Sequence, residues 1–251
     1  DLWTLVYDTV ASRWFVASGH EGYLGDPAFV SDFRDDFVWG GNSNSAFGEL
    51  GWLTNSNGTQ IVAEDESTCV GAAKLSTGTT ASFRAEIVSH NPVTLPLPTG
   101  LIMEATLRFP VLSSSTGSIT GYSARFGLSN NMGLSGVVSS FVQGIVFLYD
   151  RIGTTANWQA VSAGASRSTT DSGVAVTTTY QRLKIVFNAA GTEAKFYVNE
   201  ALVATHTSNF PTSGPYAFVI GIWNDATTSH TSMVMYVDNF RARIFRTTRR
   251  V

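Results

Sequence analysis

From Tyr180 to Thr205 the chain reads YQRLKIVFNAAGTEAKFYVNEALVAT, with apolar residues at nearly every second position. Leu183, Ile185 and Phe187 alternate with Arg182, Lys184 and Val186, the period of a strand with one wetter face. The glycine-containing stretch Asn188 to Thr192 ends that run. Ala194, Phe196 and Val198 then alternate with Lys195 and Tyr197, so a second strand returns beside the first. Asn199-Glu200 is a two-residue break before a third strand over Leu202 to Thr205. A meander of this kind buries a face only if another sheet covers it.

The rest of the chain supplies strands for that covering sheet. Short strands are predicted over Cys69 to Leu75 and Ala81 to Val88, followed by a proline-rich crossover (Pro92, Pro96, Pro98). Leu101, Met103, Ala105, Leu107 and Phe109 then share one face of a long strand, with Glu104, Thr106 and Arg108 on the other. Tyr122, Ala124, Phe126 and Leu128 alternate in the same way with Ser123 and Arg125. Ile145 to Tyr149 and Trp158 to Ser162 read as short strands, and Tyr216 to Trp223 and Met233 to Phe245 close the sheet pair. That makes about a dozen strands at near-regular spacing, with no helical period beyond one turn and no internal repeat. Residues 1–34 differ: Trp3, Leu5 and Tyr7 alternate, Asp8 to Ser12 form a polar turn, and Trp14 and Val16 resume the alternation. This is a hairpin too small to be stable alone, and Gly19 to Pro27 reads as a connector. The expected organisation is an attachment or oligomer-contact hairpin with its linker over 1–34, one sandwich over 35–246, and a basic tail over 247–251.

The strand LKIVF, a glycine turn, AKFYVN and then ALVAT resemble the late strands of concanavalin A-like lectin/glucanase sandwiches, the jelly-roll group that includes laminin G-type modules. The resemblance spans roughly residues 35–246 and implies an all-β, concanavalin A-like antiparallel β-sandwich (jelly roll), here with a short N-terminal β-hairpin extension. WTLVYDTVASRWFVASG resembles hairpins that recur in structural proteins of tailed phages. DDFVWGGNSNSAFGELGW resembles the start of lectin-like domains in phage tail and fibre proteins. Together they imply a virion protein in a tail fibre or surface appendage, located on the extracellular particle. The implied partners are further copies of itself (a trimer among the options), other virion proteins and a host-surface polysaccharide.

Composition narrows this picture. Charged residues make up 14% of the 251 and the net charge is −3, which gives no broad attraction for nucleic acid. No run of 18 apolar residues occurs, so no membrane insertion is expected, and nothing at the N-terminus reads as a signal peptide. Cys69 is the one cysteine, which excludes an intramolecular disulfide and two-cysteine metal motifs. No cofactor and no metal are expected.

Catalytic patterns are weak. Two-carboxylate glycoside hydrolysis needs an acid and a nucleophile facing one cleft, and glucanases of this fold supply them as E-x-D-x-E or E-x-D-x-x-E on one strand. Here Glu64, Asp65 and Glu66 are contiguous and read as a solvated loop between strands, while Glu104 stands alone on its strand. Alginate-lyase relatives use an Arg-rich strand with Gln-x-His and Tyr-x-Lys partners. SFRAEIVSH distantly resembles the first, with Arg84 and Glu86 on one face, but neither partner is present. His20, His90, His206 and His230 fall in apparent turns or strand ends and read as exposed. The chain is therefore expected not to be an enzyme. Sandwiches of this group bind sugars where an aromatic ring stacks on a pyranose and amides or carboxylates take its hydroxyls. Trp223, Asn224 and Asp225 form the leading set of that kind, followed by Trp39 with Asn42 and Asn44 and by Trp158 with Asn157. The expected function is non-catalytic display of these loops to a host-surface glycan. The alternatives are a capsid or tail decoration protein with purely protein–protein contacts and a polysaccharide-degrading hydrolase or lyase.

Overall fold

The computed structural model describes residues 3–8, 13–18, 30–37, 48, 50–56, 61–66, 69–81, 83–89, 100–113, 121–130, 143–150, 155–212, 216–224 and 231–245. Their strands are β1 (Trp3–Asp8), β2 (Arg13–Ser18), β3 (Val30–Asp35), β4 (Leu53–Ser56), β5 (Ile61–Glu66), β6 (Cys69–Ser76), β7 (Arg84–Val88), β8 (Gly100–Arg108) and β9 (Tyr122–Ser129). β10 (Gly144–Asp150), β11 (Asn157–Ala163), β12 (Arg167–Ala175), β13 (Gln181–Phe187), β14 (Ala194–Val198), β15 (Ala201–His206), β16 (Ala217–Asn224) and β17 (Val234–Phe245) follow. They build a seven-stranded sheet in the order β12-β11-β10-β9-β16-β7-β4 and an eight-stranded sheet built along β15-β14-β13-β8-β17-β6-β5, with β3 paired to β17. All pairings are antiparallel, as the alternation predicts.

The core lies between the sheets and is rich in aromatic rings. Phe109 touches Tyr122, Tyr149 and Trp158 with ring centroids 5.6–5.9 Å apart, and Phe147 meets Phe196 edge-on at 5.3 Å. Each such pair adds about 0.5–1.5 kcal/mol beyond its area burial. The inward sets predicted for Leu101 to Leu107 and for Leu183 to Phe187 are all buried in this core. The break at Asn199-Glu200 is a hairpin turn with both residues at positive φ (49° and 68°). The Asn199 side-chain oxygen accepts the Arg182 backbone N–H at 2.8 Å, which locks the β14–β15 corner onto β13.

Three expectations change. Glu64, Asp65 and Glu66 belong to β5, an edge strand, and not to a loop; the register shift between Glu64 and Glu66 makes room for the extra polar residue. His206 is buried on β15 and not exposed, because both of its ring nitrogens find partners. β12 was not anticipated at all: its positions are half-buried to exposed, so it lacks an apolar stripe.

Asp35 organises the entry to the sandwich. Its carboxylate, 2% exposed, accepts N–H bonds from Phe37 (2.9 Å), Leu50 (2.9 Å) and the Trp52 indole (2.8 Å). Gly48, at φ +69°, must be glycine, since a Cβ there would sit 2.4 Å from Asp35 Oδ2. β3 runs from Val30 to Asp35 beside the C-terminal half of β17, so the predicted sandwich start at Asp35 is the last residue of a strand already in the sheet. β1 and β2 form a sheet of their own. Removing residues 1–29 should therefore leave the melting temperature nearly unchanged, whereas removing 1–34 deletes most of β3 and should lower it by several degrees. Sedimentation and thermal melts of the two truncations check this, and a lower mass for the shorter cut would identify the hairpin as an assembly element.

His206 bolts the sheets together at one edge. Ser162 Oγ on β11 donates to the Ser208 carbonyl (3.1 Å), so it accepts from His206 Nδ1 (2.8 Å), and His206 Nε2 accepts from Thr170 Oγ1 on β12 (3.0 Å). Burial lowers the His206 pKa below its ordinary 6.5. On acidification the unfolded chain then binds the proton first. This contribution is complete above about pH 6.5 and is lost as pH falls from there through the folded value. The stability advantage of wild type over His206→Gln should shrink across that window in urea unfolding, and a gap that widens on acidification would contradict the assignment.

Candidate functional site

The central strands of the seven-stranded sheet are buried on both faces: β9 and β16 are buried at every position. Alternation sends Tyr122, Ala124, Phe126 and Leu128 into the core, so Ser123, Arg125, Gly127 and Ser129 occupy the outer face. The outward residues Val146, Leu148, Val161, Ala163 and Trp223 form a second apolar cluster there, and Val88, Ala217 and Val219 a third.

A polar band crosses these clusters. Register aligns Arg84 on β7, Trp223 on β16, Ser123 on β9 and Asp150 on β10 in one cross-strand row. Ser123 Oγ donates to Asp150 Oδ1 at 3.0 Å. The next row holds Glu86, Gly221 and Arg125. Gly221 is the gap through which the outer two meet, since a Cβ there would lie 3.1 Å from both Cβ and Cγ of Glu86. Arg125 Nη2 donates to Glu86 Oε1, and the side chains are 2% and 1% exposed. Glu86 Oε2 and the Trp223 indole N–H have no hydrogen-bond partner among the described residues. Burial raises the Glu86 pKa above its ordinary 4.5, opposed by Arg125 and more weakly by Arg84.

The predicted site residues separate here. Trp223 lies in the band, 6% exposed, with its ring packed in the outer cluster. Asn224, one position on, faces the other way, and its amide donates to the carbonyls of Gly78 and Thr80 at 3.1 and 3.4 Å, pinning the loop after β6. Asp225, Trp39, Asn42 and Asn44 lie outside the described residues. Trp158 is a core residue whose indole donates to Gln181. Sequence reasoning paired Arg84 with Glu86 but did not bring in Arg125, Ser123 or Asp150. A charged residue amid the small and apolar SARFGLS is the signal that marked Arg125. Among the described residues no group of three His, Cys, Asp or Glu side chains is placed to hold a metal ion.

The band can do two things chemically. Trp223 offers a buried N–H donor and Asp150, two strands along the same row, an acceptor, which suits hydroxyl-bearing ligands. Glu86 is a buried carboxylate held by a guanidinium, and breaking such a pair by removing one partner costs about 3–5 kcal/mol. Arg125→Met should therefore destabilise by that amount, with part recovered when Glu86→Gln is added. The raised folded pKa means that the Glu86 contribution is full below about pH 4.5 and is lost as pH rises through the folded value. Glu86→Gln should accordingly gain on wild type as pH is raised, and in the Arg125→Met background the gain should be larger. Denaturant unfolding at a series of pH values tests both signs.

Comparison with known proteins bears on the fold. Residues 68–238 match the family model described as SO2946-like, C-terminal domain. No curated protein sequence matches the chain. Among solved structures, the carbohydrate recognition domain of Emp47p is similar at 14% identity and TM-score 0.55, over 88% of this chain and 99% of that one. A Bacillus licheniformis β-glucanase is similar at 14% identity and TM-score 0.53, over 84% and 97%. Arcelin-5, a lectin-like defence protein from Phaseolus vulgaris, is similar at 9% identity and TM-score 0.54, over 87% and 100%. At these identities the likeness establishes the fold, a concanavalin A-like jelly-roll sandwich.

Proposed function

The chain belongs to the SO2946-like C-terminal domain family, and on that premise we propose that it is a non-catalytic, glycan-binding sandwich displayed on a tailed-phage tail fibre or other virion appendage. The observation that carries the binding half is the row Arg84–Trp223–Ser123–Asp150, which lines up a guanidinium, an aromatic N–H donor, a hydroxyl and a carboxylate across four strands of a rigid sheet. A sugar hydroxyl can donate to Asp150 at the half-buried end of the row, and a second that reaches the buried Trp223 N–H can accept from it. The lectin-like neighbours support a saccharide as the ligand. Non-catalysis is supported by the Glu86–Arg125 pair, which holds the one carboxylate of the second row. Asp150, in the other row, is three strands from Glu86, about 14 Å at the usual strand spacing. Two-carboxylate glycosidases hold their pair roughly 5–9.5 Å apart.

The virion setting rests on the resemblance of the N-terminal hairpin and of the DDF…GELGW stretch to phage structural proteins. A separate two-stranded sheet ahead of the sandwich suits an attachment element, and repeated copies would multiply a weak affinity.

A glycan array run beside a sugar-release screen on bacterial envelope polysaccharide tests the reading. Binding without release is expected. Trp223→Phe keeps the ring in its apolar cluster but removes the N–H, and should weaken array binding about five- to tenfold, the value of one hydrogen bond. Release that vanishes in Glu86→Gln or Glu64→Gln would overturn the non-catalytic half. Binding indifferent to Trp223→Phe would move the site elsewhere.

A further inference from the structure

The outer face of the eight-stranded sheet carries a second site, independent of the band just described. A cleft of about 590 Å³ opens there over β3, β17, β8 and β13. A smaller hollow of about 190 Å³ adjoins it and shares Glu104, Arg182 and Arg241 with it. The cleft forms where β17 is bulged: the register slips between Asp238 and Phe240, and Asn239 takes φ +46°. The bulge bends the strand away from its neighbours and leaves the Asn239 amide at the rim.

The lining is ordered. Arg241 on β17, Glu104 on β8 and Lys184 on β13 stand opposite one another in register. Arg243 continues the β17 side and Arg182 the β13 side, so two rails of cations flank β8, about 10 Å apart, with cations every second residue or about 6.6 Å along each rail. Arg34 on β3 stands beside Arg241, on the side of β17 away from β8. Between the rails lie Ile102, Glu104 and Thr106. Asp35 and Asp36 also contribute to the wall; the Asp35 carboxylate is engaged inward by Phe37, Leu50 and Trp52, and Asp36 is exposed. Each rail is held in place by acids. Asp32 bridges Arg34, Arg241 and Arg243 at 3.1–3.4 Å, Glu104 and Glu200 take Arg182 at 2.7 and 2.8 Å, and Glu200 also takes Lys184 at 3.2 Å. The guanidinium groups are therefore positioned before any ligand arrives, which lowers the ordering cost of binding.

We propose that this groove binds an extended acidic polysaccharide, its carboxylates meeting the arginine and lysine rails and its hydroxyls donating to Glu104 and Thr106 on the floor. The floor selects the class. A chain of phosphates offers no hydroxyl donor to offset its repulsion by Glu104, whose side chain is 12% exposed. A uronate chain brings both anions and hydroxyl donors. Arginine is also suited to carboxylate through its planar fork of donors. Most of the cations are partly exposed, so binding must weaken with added salt.

The test uses the full chain, with polygalacturonate as probe, dextran as neutral control, and dextran sulfate and a single-stranded DNA oligonucleotide as polyanions without uronate. Wild type should bind polygalacturonate at low salt and not dextran. The double variant Lys184→Ala/Arg243→Ala takes one cation from each rail and leaves Glu200 with Arg182 and Asp32 with Arg34 and Arg241, so it should raise that Kd by about tenfold or more with little change in the melting curve. Trp223→Phe should leave it unchanged, which separates this site from the one on the other sheet. Glu104→Gln should improve binding of dextran sulfate and the oligonucleotide relative to polygalacturonate. An unchanged Kd in the double variant, no polygalacturonate binding at low salt, or an oligonucleotide bound as tightly as polygalacturonate by wild type would each overturn the proposal.

Discussion

One extra residue in β17 holds the sandwich in phase. Met235 and Val237 point into the core before the bulge, and Phe240, Ala242 and Ile244 point into it afterwards. Without the irregularity between Asp238 and Phe240, strict alternation would turn Arg241 and Arg243 inward and the apolar residues out. Burying unpaired guanidinium groups costs several kcal/mol each, so the strand could not serve both halves of the sheet. The slip coincides with a change of neighbour. β6 lies beside Val234 to Val237, and β3 beside Phe240 to Phe245. The entry loop that Asp35 ties together is thus delivered by the same irregularity that opens the cleft on the outer face.

The two sheets use their outer faces differently. The eight-stranded sheet meets solvent with charged rows, as an antiparallel sheet does when one side is wet. The seven-stranded sheet is shielded on both sides along β9 and β16, yet keeps the Glu86–Arg125 pair within its shielded face. Replacing a buried ion pair with apolar residues is often neutral or stabilising. Stability alone therefore gives little reason for the pair, and Gly221 beneath it forgoes a side chain so that Glu86 can cross. Its position beside the Trp223 row is what ties it to the binding reading, since the guanidinium and carboxylate stiffen the strands that carry that row.

Local pattern was enough for most of the scaffold. The faces of β8, β13 and β14 were legible because a strand residue's side is set by its parity, and the corner at Asn199-Glu200 because so short a break between returning strands must turn sharply. β12 was not legible, since an edge strand with both faces wet has no apolar stripe to read. His206 was misjudged for a related reason: its burial depends on Ser162 and Thr170, hydroxyls 44 and 36 residues away that no local pattern connects to it.

The candidate site divides along the same line. That Trp223 and Asn224 end an apolar strand could be read from the chain, and parity alone implies that they face opposite ways. The sequence thus determined an all-β sandwich, its alternating faces and an aromatic at the end of β16. Which residues stand beside that aromatic was decided only by tertiary structure. Arg84, Ser123 and Asp150 reach Trp223's row through the registers of three strand pairs. Those registers are set by the packing of two whole sheets against each other, a long-range fit that no stretch of sequence contains by itself.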